Sequence, residues 1–218
     1  MEEKKLQNAL SFYLLVTRLK ERIRSGWDEN HWEVRKDRLE SVAEHSFGTC
    51  MLAISLDSEF KLDVDMDKVI KMLVIHELGE TIIGDITPFD DVSPEEKMRM
   101  EHEAVLEVVG NLVKKDELLS LLLEFDDQKS KEAIFANYCD KMEALIQSKV
   151  YQDYGYHANL DELQDNAIIK DKRVKKAISN GAKTVFDIWY MLSKDAMSKD
   201  ELFAGMLEYL RNTNTSTR

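Results

Sequence analysis

One stretch constrains this chain more than any other: Val74-Ile75-His76-Glu77-Leu78-Gly79-Glu80-Thr81-Ile82-Ile83-Gly84-Asp85. Met72, Leu73, Val74, Ile75, Leu78 and Ile82 cover most of a helix surface, the pattern of a buried helix. The same helix carries His76, Glu77 and Glu80, and Asp85 follows just past Gly84. A buried carboxylate is costly unless it is paired or coordinates a metal. Three acids and one imidazole on a core helix therefore ask for a cation. His76 and Glu80 stand at i, i+4, and Glu77 and Glu80 at i, i+3, so each pair shares a face. Adjacent positions lie about 100° apart, so His76 and Glu77 can both reach one ion between helices. Gly84 fits a helix C-cap, leaving Asp85 at the mouth of the pocket. The competing reading is a core histidine with solvated glutamates, and the local pattern does not separate the two.

Composition narrows the fold. The chain has 218 residues with only 2 Pro and 8 Gly, which favours an all-α architecture in one domain. Cys50 and Cys139 both sit in apolar helical contexts and read as reduced core residues of a cytoplasmic protein. The N-terminus lacks a signal-peptide pattern, and no apolar run reaches membrane-spanning length. A net charge of −12 argues against a nucleic-acid polymer as partner, because that needs a basic stripe. A phosphorylated small molecule is still compatible, since a divalent cation and an arginine or two can bind phosphate in an acidic protein.

Around the central stretch, the periodicity predicts helices over residues 5–24, 41–60, 94–115, 116–125, 131–151, 172–193 and 199–211. Ser41-Val42-Ala43-Glu44 reads as a capping box and Asp67 as the N-cap of the central helix. Ser93-Pro94 starts the next helix with a cap and a proline at its first position. Trp27 and Trp32 stand in a loop; two such aromatics suit a lid over the core or a base-stacking platform. His31 has no spaced partner and reads as a surface residue; His102, between Glu101 and Glu103, reads as solvated. Asp140 lies near Ala133, Ala136 and Ala144 on the helical wheel, where it suits a buried ligand or, alternatively, an ion pair with Lys141. The tail from Asn212 is polar and is expected to be disordered.

Glu44-His45-Ser46, His76-x-x-x-Glu80, Gly84-Asp85 and Asp140-Lys141 agree in order and context with one family. The chain resembles the HD-domain metal phosphohydrolases, and more narrowly their 5′-deoxynucleotidase branch, over roughly residues 6–150. The resemblance implies an HD-type helical bundle with two additional C-terminal helices over 172–211. It implies that His45, His76, Glu77 and Asp140 hold one divalent ion, whether Mn, Co, Mg, Fe, Ni or Zn. Glu80 would then orient or deprotonate the attacking metal-bound water, and Asp85 would meet the sugar or the leaving oxygen. Trp27 resembles the aromatic bordering the nucleotide, and Arg38 an arginine that could meet phosphate. Two departures stand out. The family usually has His-Asp where this chain has His76-Glu77, and the segment between Trp27 and His45 is a few residues longer than expected.

The activity so implied is removal of the 5′-phosphate from (deoxy)nucleoside monophosphates. Two alternatives remain open at this level: the same site acting on nucleoside triphosphates or cyclic nucleotides, and a non-catalytic binding module in which Glu77 marks a decayed site. The amphipathic C-terminal helices suit either packing on the core or pairing across a homodimer or higher homo-oligomer.

Overall fold

A computed structural model describes residues 2–217. Among these, eleven α-helices form and no sheet; one isolated backbone bridge pairs Ile23 with Ser41. The chain divides into two compact units, one of residues up to Arg24 with Glu40–Asp140, the other of Ser25–Leu39 with residues from Lys141 onward.

The first unit contains α1 (Glu2–Val16), α2 (Val42–Phe60), α3 (Met66–Ile75), α4 (Glu80–Ile83), α5 (Pro94–Val109), α6 (Lys115–Asp127) and the start of α7 (Lys131–Asp153). α2 packs on α3, α3 on α6 and α4 on α5. Ile75, Leu78, Val105, Val108, Val109 and Leu122 form one core cluster, with Phe12, Leu15 and Val16 of α1 against it. The Ser41 capping box is present: the Glu44 amide donates to Ser41 Oγ (3.3 Å), and the Ser41 amide donates to Glu44 Oε2 (2.9 Å).

Several boundaries differ from expectation. The first helix ends at Val16 and tightens into a 3₁₀ turn over Thr17–Lys20, where Thr17 Oγ1 donates back to the Leu14 carbonyl. Asp65, not Asp67, caps α3 by accepting from the Lys68 amide. The central stretch is not one helix. α3 stops at Ile75, and residues 76–79 form successive i→i+3 bonds, with Leu78 N to Ile75 O at 3.0 Å and Glu80 N to Glu77 O at 3.1 Å. Val74 is exposed rather than buried. α5 ends at Val109, ahead of the expected 115.

The second unit contains the rest of α7 with α8 (Ala167–Lys170), α9 (Lys172–Ser179), α10 (Val185–Met197) and α11 (Glu201–Asn212). The helix expected over 172–193 is two helices. Gly181 takes φ +98° just after α9, and Thr184 with Asp187 makes a second capping box that restarts the chain as α10. The aromatic core sets Trp27 against Tyr151 (5.4 Å between ring centres) and Trp189 (5.7 Å). His31 is buried and bonded to Asp28 Oδ1 at 2.9 Å, so it is not a surface residue. The tail is tied down: the Thr215 amide and hydroxyl both donate to Asp153, at 2.7 and 2.9 Å.

His157 is buried in this unit, with Nε2 on the Ser148 carbonyl at 3.2 Å. Burial pushes its pKa down to about 4. The folded protein therefore binds this proton more weakly than the unfolded chain, whose imidazole titrates at about 6.5. The stabilisation is complete above pH 6.5 and is lost as pH falls toward 4, by up to about 3 kcal/mol. Urea denaturation at pH 7 and pH 5 should show this slope for the wild type, and His157→Gln should flatten it. An unchanged slope in the variant would refute the assignment.

Candidate metal centre

His45 lies in the first turn of α2, where the capping box sets the start of the helix. Two backbone bonds then bring the 22–24 segment alongside: Val42 N donates to Arg22 O (2.8 Å) and Arg24 N to Glu40 O (3.0 Å). His76 and Glu77 leave the end of α3 at the i→i+3 turns. With about three residues per turn, Glu77 and Glu80 fall on one edge of the chain. Gly79 allows the close approach this needs, because a Cβ there would stand 3.2 Å from the Glu101 backbone of α5. Gly84, at φ +82°, turns the chain so that Asp85 follows.

These elements bring His45, His76, Glu77 and Asp140 together, each offering a ligand atom within 4.8 Å of the others. His45 Nε2 is 3.0 Å from Asp140 Oδ1 and 3.7 Å from Glu77 Oε1. His76 Nε2 is 3.6 Å and 3.4 Å from the same two oxygens. Asp140 thus faces imidazoles and not the Lys141 ion pair considered above.

The donor set fits a divalent cation. With metal–ligand bonds of about 2.1 Å, neighbouring ligand atoms stand roughly 3.0 Å apart in an octahedral shell and 3.4 Å in a tetrahedral one. The four imidazole–carboxylate separations here span 3.0 to 3.7 Å. His76 Nδ1 donates to the Leu73 carbonyl at 2.8 Å, which fixes the ring and turns Nε2 toward the two carboxylates. That Nε2 is buried without a hydrogen-bond partner, a costly arrangement that coordination resolves.

Charge is unevenly distributed over the cluster. Burial alone would raise Glu77, but His76, Arg24 and His45 outweigh it and hold its carboxyl at about 2. Burial likewise opposes ionisation of Asp140, yet the hydrogen bond with His45 Nε2 at 3.0 Å and the nearness of both imidazoles keep its carboxyl well below the usual range. Glu80 goes the other way. It is 2% exposed, and burial with the Glu77 and Asp85 carboxylates pushes it well above the ordinary value. Its Oε2 has no hydrogen-bond partner. A cavity of about 180 Å³ reaches His76, Glu77 and Glu80 between α4, α5 and α6, giving water access to these groups.

Arg24 is the residue that sequence reasoning missed. Its Nη1 donates to Glu77 Oε1 at 2.9 Å and lies 3.8 Å from Asp85 Oδ1. Burial would lower its pKa, but Asp85, Glu77, Glu80 and Asp140 together raise it, so the guanidinium stays charged. The available signal was its place three residues before Trp27. Arg38, which the resemblance offers for phosphate, is exposed and belongs to the second unit. Trp27 is 2% exposed, with its indole packed against Tyr151 and Trp189, so the stacking platform expected of it has no open ring face. Lys97 Nζ donates to the Ile86 carbonyl at 2.8 Å, which tethers the loop after Asp85 to α5. His102 pairs with Asp126 at 2.8 Å, and Cys50 and Cys139 are free and buried.

An all-helical unit built around paired histidines and acids of this spacing defines a class, and residues 16–182 match the HD domain family. The chain belongs to that family. It is 32% identical over 154 residues to the 5′-deoxynucleotidase HDDC2 of Dictyostelium discoideum, covering 67% of this chain and 79% of that one. The human 5′-deoxynucleotidase HDDC2 is 31% identical over 149 residues, covering 67% and 70%. Among solved structures, a predicted metal-dependent phosphohydrolase from Magnetospirillum magnetotacticum MS-1 has a TM-score of 0.65 at 20% identity, across 97% of this chain and 93% of that one. At that identity the likeness concerns the fold.

Proposed function

We propose that this protein is a divalent-metal-dependent phosphomonoesterase that removes the 5′-phosphate from deoxynucleoside monophosphates. The observation that carries the reading is one cluster of two imidazoles and two ionised carboxylates, with a carboxyl of raised pKa beside it. The relatives named 5′-deoxynucleotidases supply the substrate class.

His45, His76, Glu77 and Asp140 would hold the ion. A divalent cation supplies positive charge to the phosphoryl oxygens and lowers the pKa of nearby water. Glu80 takes a proton from the attacking water, a role that suits a buried carboxyl made more basic by its carboxylate neighbours. The water oxygen bonds to phosphorus, the bond from phosphorus to O5′ breaks, and O5′ takes up a proton. Asp85 follows the Gly84 turn with its side chain largely buried, and serves the sugar or that proton. Arg24, held between Glu77 and Asp85, offers the guanidinium for a phosphate oxygen. Such a reaction rests on positioning and charge, with no serine or cysteine nucleophile.

Glu77 keeps the carboxylate of the usual aspartate on a longer arm and stays ionised, which favours a working site over a decayed one. The free, buried cysteines agree with a reducing, cytoplasmic setting. Among the described residues, no helix is long and apolar enough to cross a membrane.

The test is phosphate release by purified protein loaded with Mn²⁺, Co²⁺ or Mg²⁺, across monophosphates, triphosphates and cyclic nucleotides. Inorganic phosphate from deoxynucleoside monophosphates is the expected product. Release of triphosphate instead would move the reading to the triphosphohydrolase alternative. No product from stoichiometrically loaded protein would leave only the binding module.

A further inference from the structure

The segment that carries Glu80 and Asp85 has little regular structure of its own. α4 spans only Glu80–Ile83, and Gly84 turns the chain before Asp85. No helix forms from Gly84 to Ser93, so the backbone around Asp85 depends on bonds to other elements. α5 meets this segment at both of its ends. At the near end the Glu101 backbone abuts Gly79, where a Cβ would stand at 3.2 Å. At the far end Lys97 Nζ donates to the Ile86 carbonyl at 2.8 Å.

Lys97 owes its reach to the way its own helix begins. Ser93 Oγ accepts from the Glu96 amide at 3.1 Å and Pro94 opens the first turn, which sets the start of α5. Lys97 lies in that turn, and its side chain, 34% exposed, runs back across the loop to Ile86. Its Nζ is also 3.4 Å from Glu101 Oε1, one turn further along α5. A neutral carbonyl does not need an ammonium; an amide or a hydroxyl donor would hold it too. Burial would lower the Lys97 pKa, but Glu101, Glu77, Glu80 and Asp85 together raise it, so the cation is kept beside these acids.

We propose that Lys97 is a positioning residue for the reaction: by holding the Ile86 carbonyl it fixes where the Asp85 carboxylate stands against the sugar and O5′. The inference rests on the phosphomonoesterase reading above and adds to it a residue outside the metal cluster. On its N-terminal side Asp85 is already pinned, because the Gly84 amide donates to the Glu80 carbonyl at 3.0 Å. Beyond Ile86 the loop closes on itself, with the Thr87 amide and hydroxyl both donating to Asp90 Oδ2, at 2.6 and 2.8 Å. The stretch between these two anchors is the one Lys97 holds. Once released, it lets Asp85 swing about the Gly84 turn, and a displacement of ~1 Å at a working group can cost 10²-fold in rate.

Lys97→Met keeps the stem and removes the donor. The metal-loaded variant should retain its ion and lose about 10–100-fold in kcat/KM for a deoxynucleoside monophosphate. A double-mutant cycle separates positioning from general loosening. In an Asp85→Asn background, Lys97→Met should cost less than about 3-fold further, because the group it positions is already gone. A merely structural role would cost the same factor in both backgrounds. Lys97→Gln, with a shorter neutral donor, takes the same cycle should the Met variant fail to fold. Wild-type turnover in Lys97→Met, or costs that multiply in the double variant, overturns the inference. Should the wild type release no phosphate, the phosphomonoesterase reading falls, and hydrogen exchange decides the part played by Lys97. Amides of residues 85–90 should then exchange faster in Lys97→Met while those of α2 stay protected, and unchanged exchange over 85–90 overturns the inference.

Discussion

Replacing Asp140 by Asn is expected to empty the metal centre and to lower turnover of a deoxynucleoside monophosphate by about 10³-fold or more. Asn keeps the size and removes the charge. Asp140 Oδ1 stands 3.0 Å from His45 Nε2 and 3.6 Å from His76 Nε2, so one oxygen reaches toward both rings. It is one of two anions in the donor set, and the second, Glu77, already shares its charge with Arg24. With Asp140 neutral, a divalent ion would face one partly engaged carboxylate. Metal analysis after reconstitution should fall from one ion per chain in the wild type to below about a tenth in Asp140→Asn, in line with the loss of a ligand whose charge offsets the cation. A variant that retains stoichiometric metal and wild-type turnover would remove Asp140 from the centre and with it the proposed chemistry.

Glu80→Gln should produce the complementary result: metal retained, turnover lost by about 10²–10⁴-fold. Glu80 is outside the four-ligand cluster, so its neutral isostere leaves the donors in place. What disappears is the proton acceptor. The variant should also lose the acidic limb of the pH–rate profile, which a merely structural role would not affect. Stability of the metal-free protein offers a second readout. Glu80 has its pKa raised in the fold by burial and by the Glu77 and Asp85 carboxylates. A raised carboxyl stabilises fully below its unfolded pKa, and that contribution is lost as pH rises through the folded value. Glu80→Gln removes this loss, so the metal-free variant should melt at or above wild type at pH 8 and gain less at pH 5. Metal loss together with activity would make Glu80 a ligand, and unchanged turnover would exclude it as the base.

The two results separate holding the ion from moving the proton, and they draw on residues of different legibility. By periodicity Asp140 was an acid in a stripe of alanines, suited to a buried ligand or an ion pair with Lys141, and it was the family resemblance that implied its place among the ligands. Its meeting with His45 joins positions 95 residues apart, which no local period encodes. Glu80 was visible as an acid one turn beyond His76, although the backbone between them is a run of tight turns instead of regular helix. Arg24 was hidden because its position depends on the pairing of residues 22–24 with 40–42, a backbone contact between segments with no sequence pattern in common. Trp27 was legible as a large aromatic, but whether its face is open or covered depends on where Tyr151 and Trp189 lie.

By itself the sequence determined the helical class, the caps at Ser41 and Ser93, and which residue types could bind a cation. These follow from short-range physics: backbone propensity, capping hydrogen bonds and the cost of burying charge. Only the tertiary structure decided that the central stretch breaks at its ligands, that Arg24 is the guanidinium beside them, and that Trp27 belongs to a core. Those outcomes depend on burial and on contacts between distant segments, where close packing and desolvation outweigh any local preference.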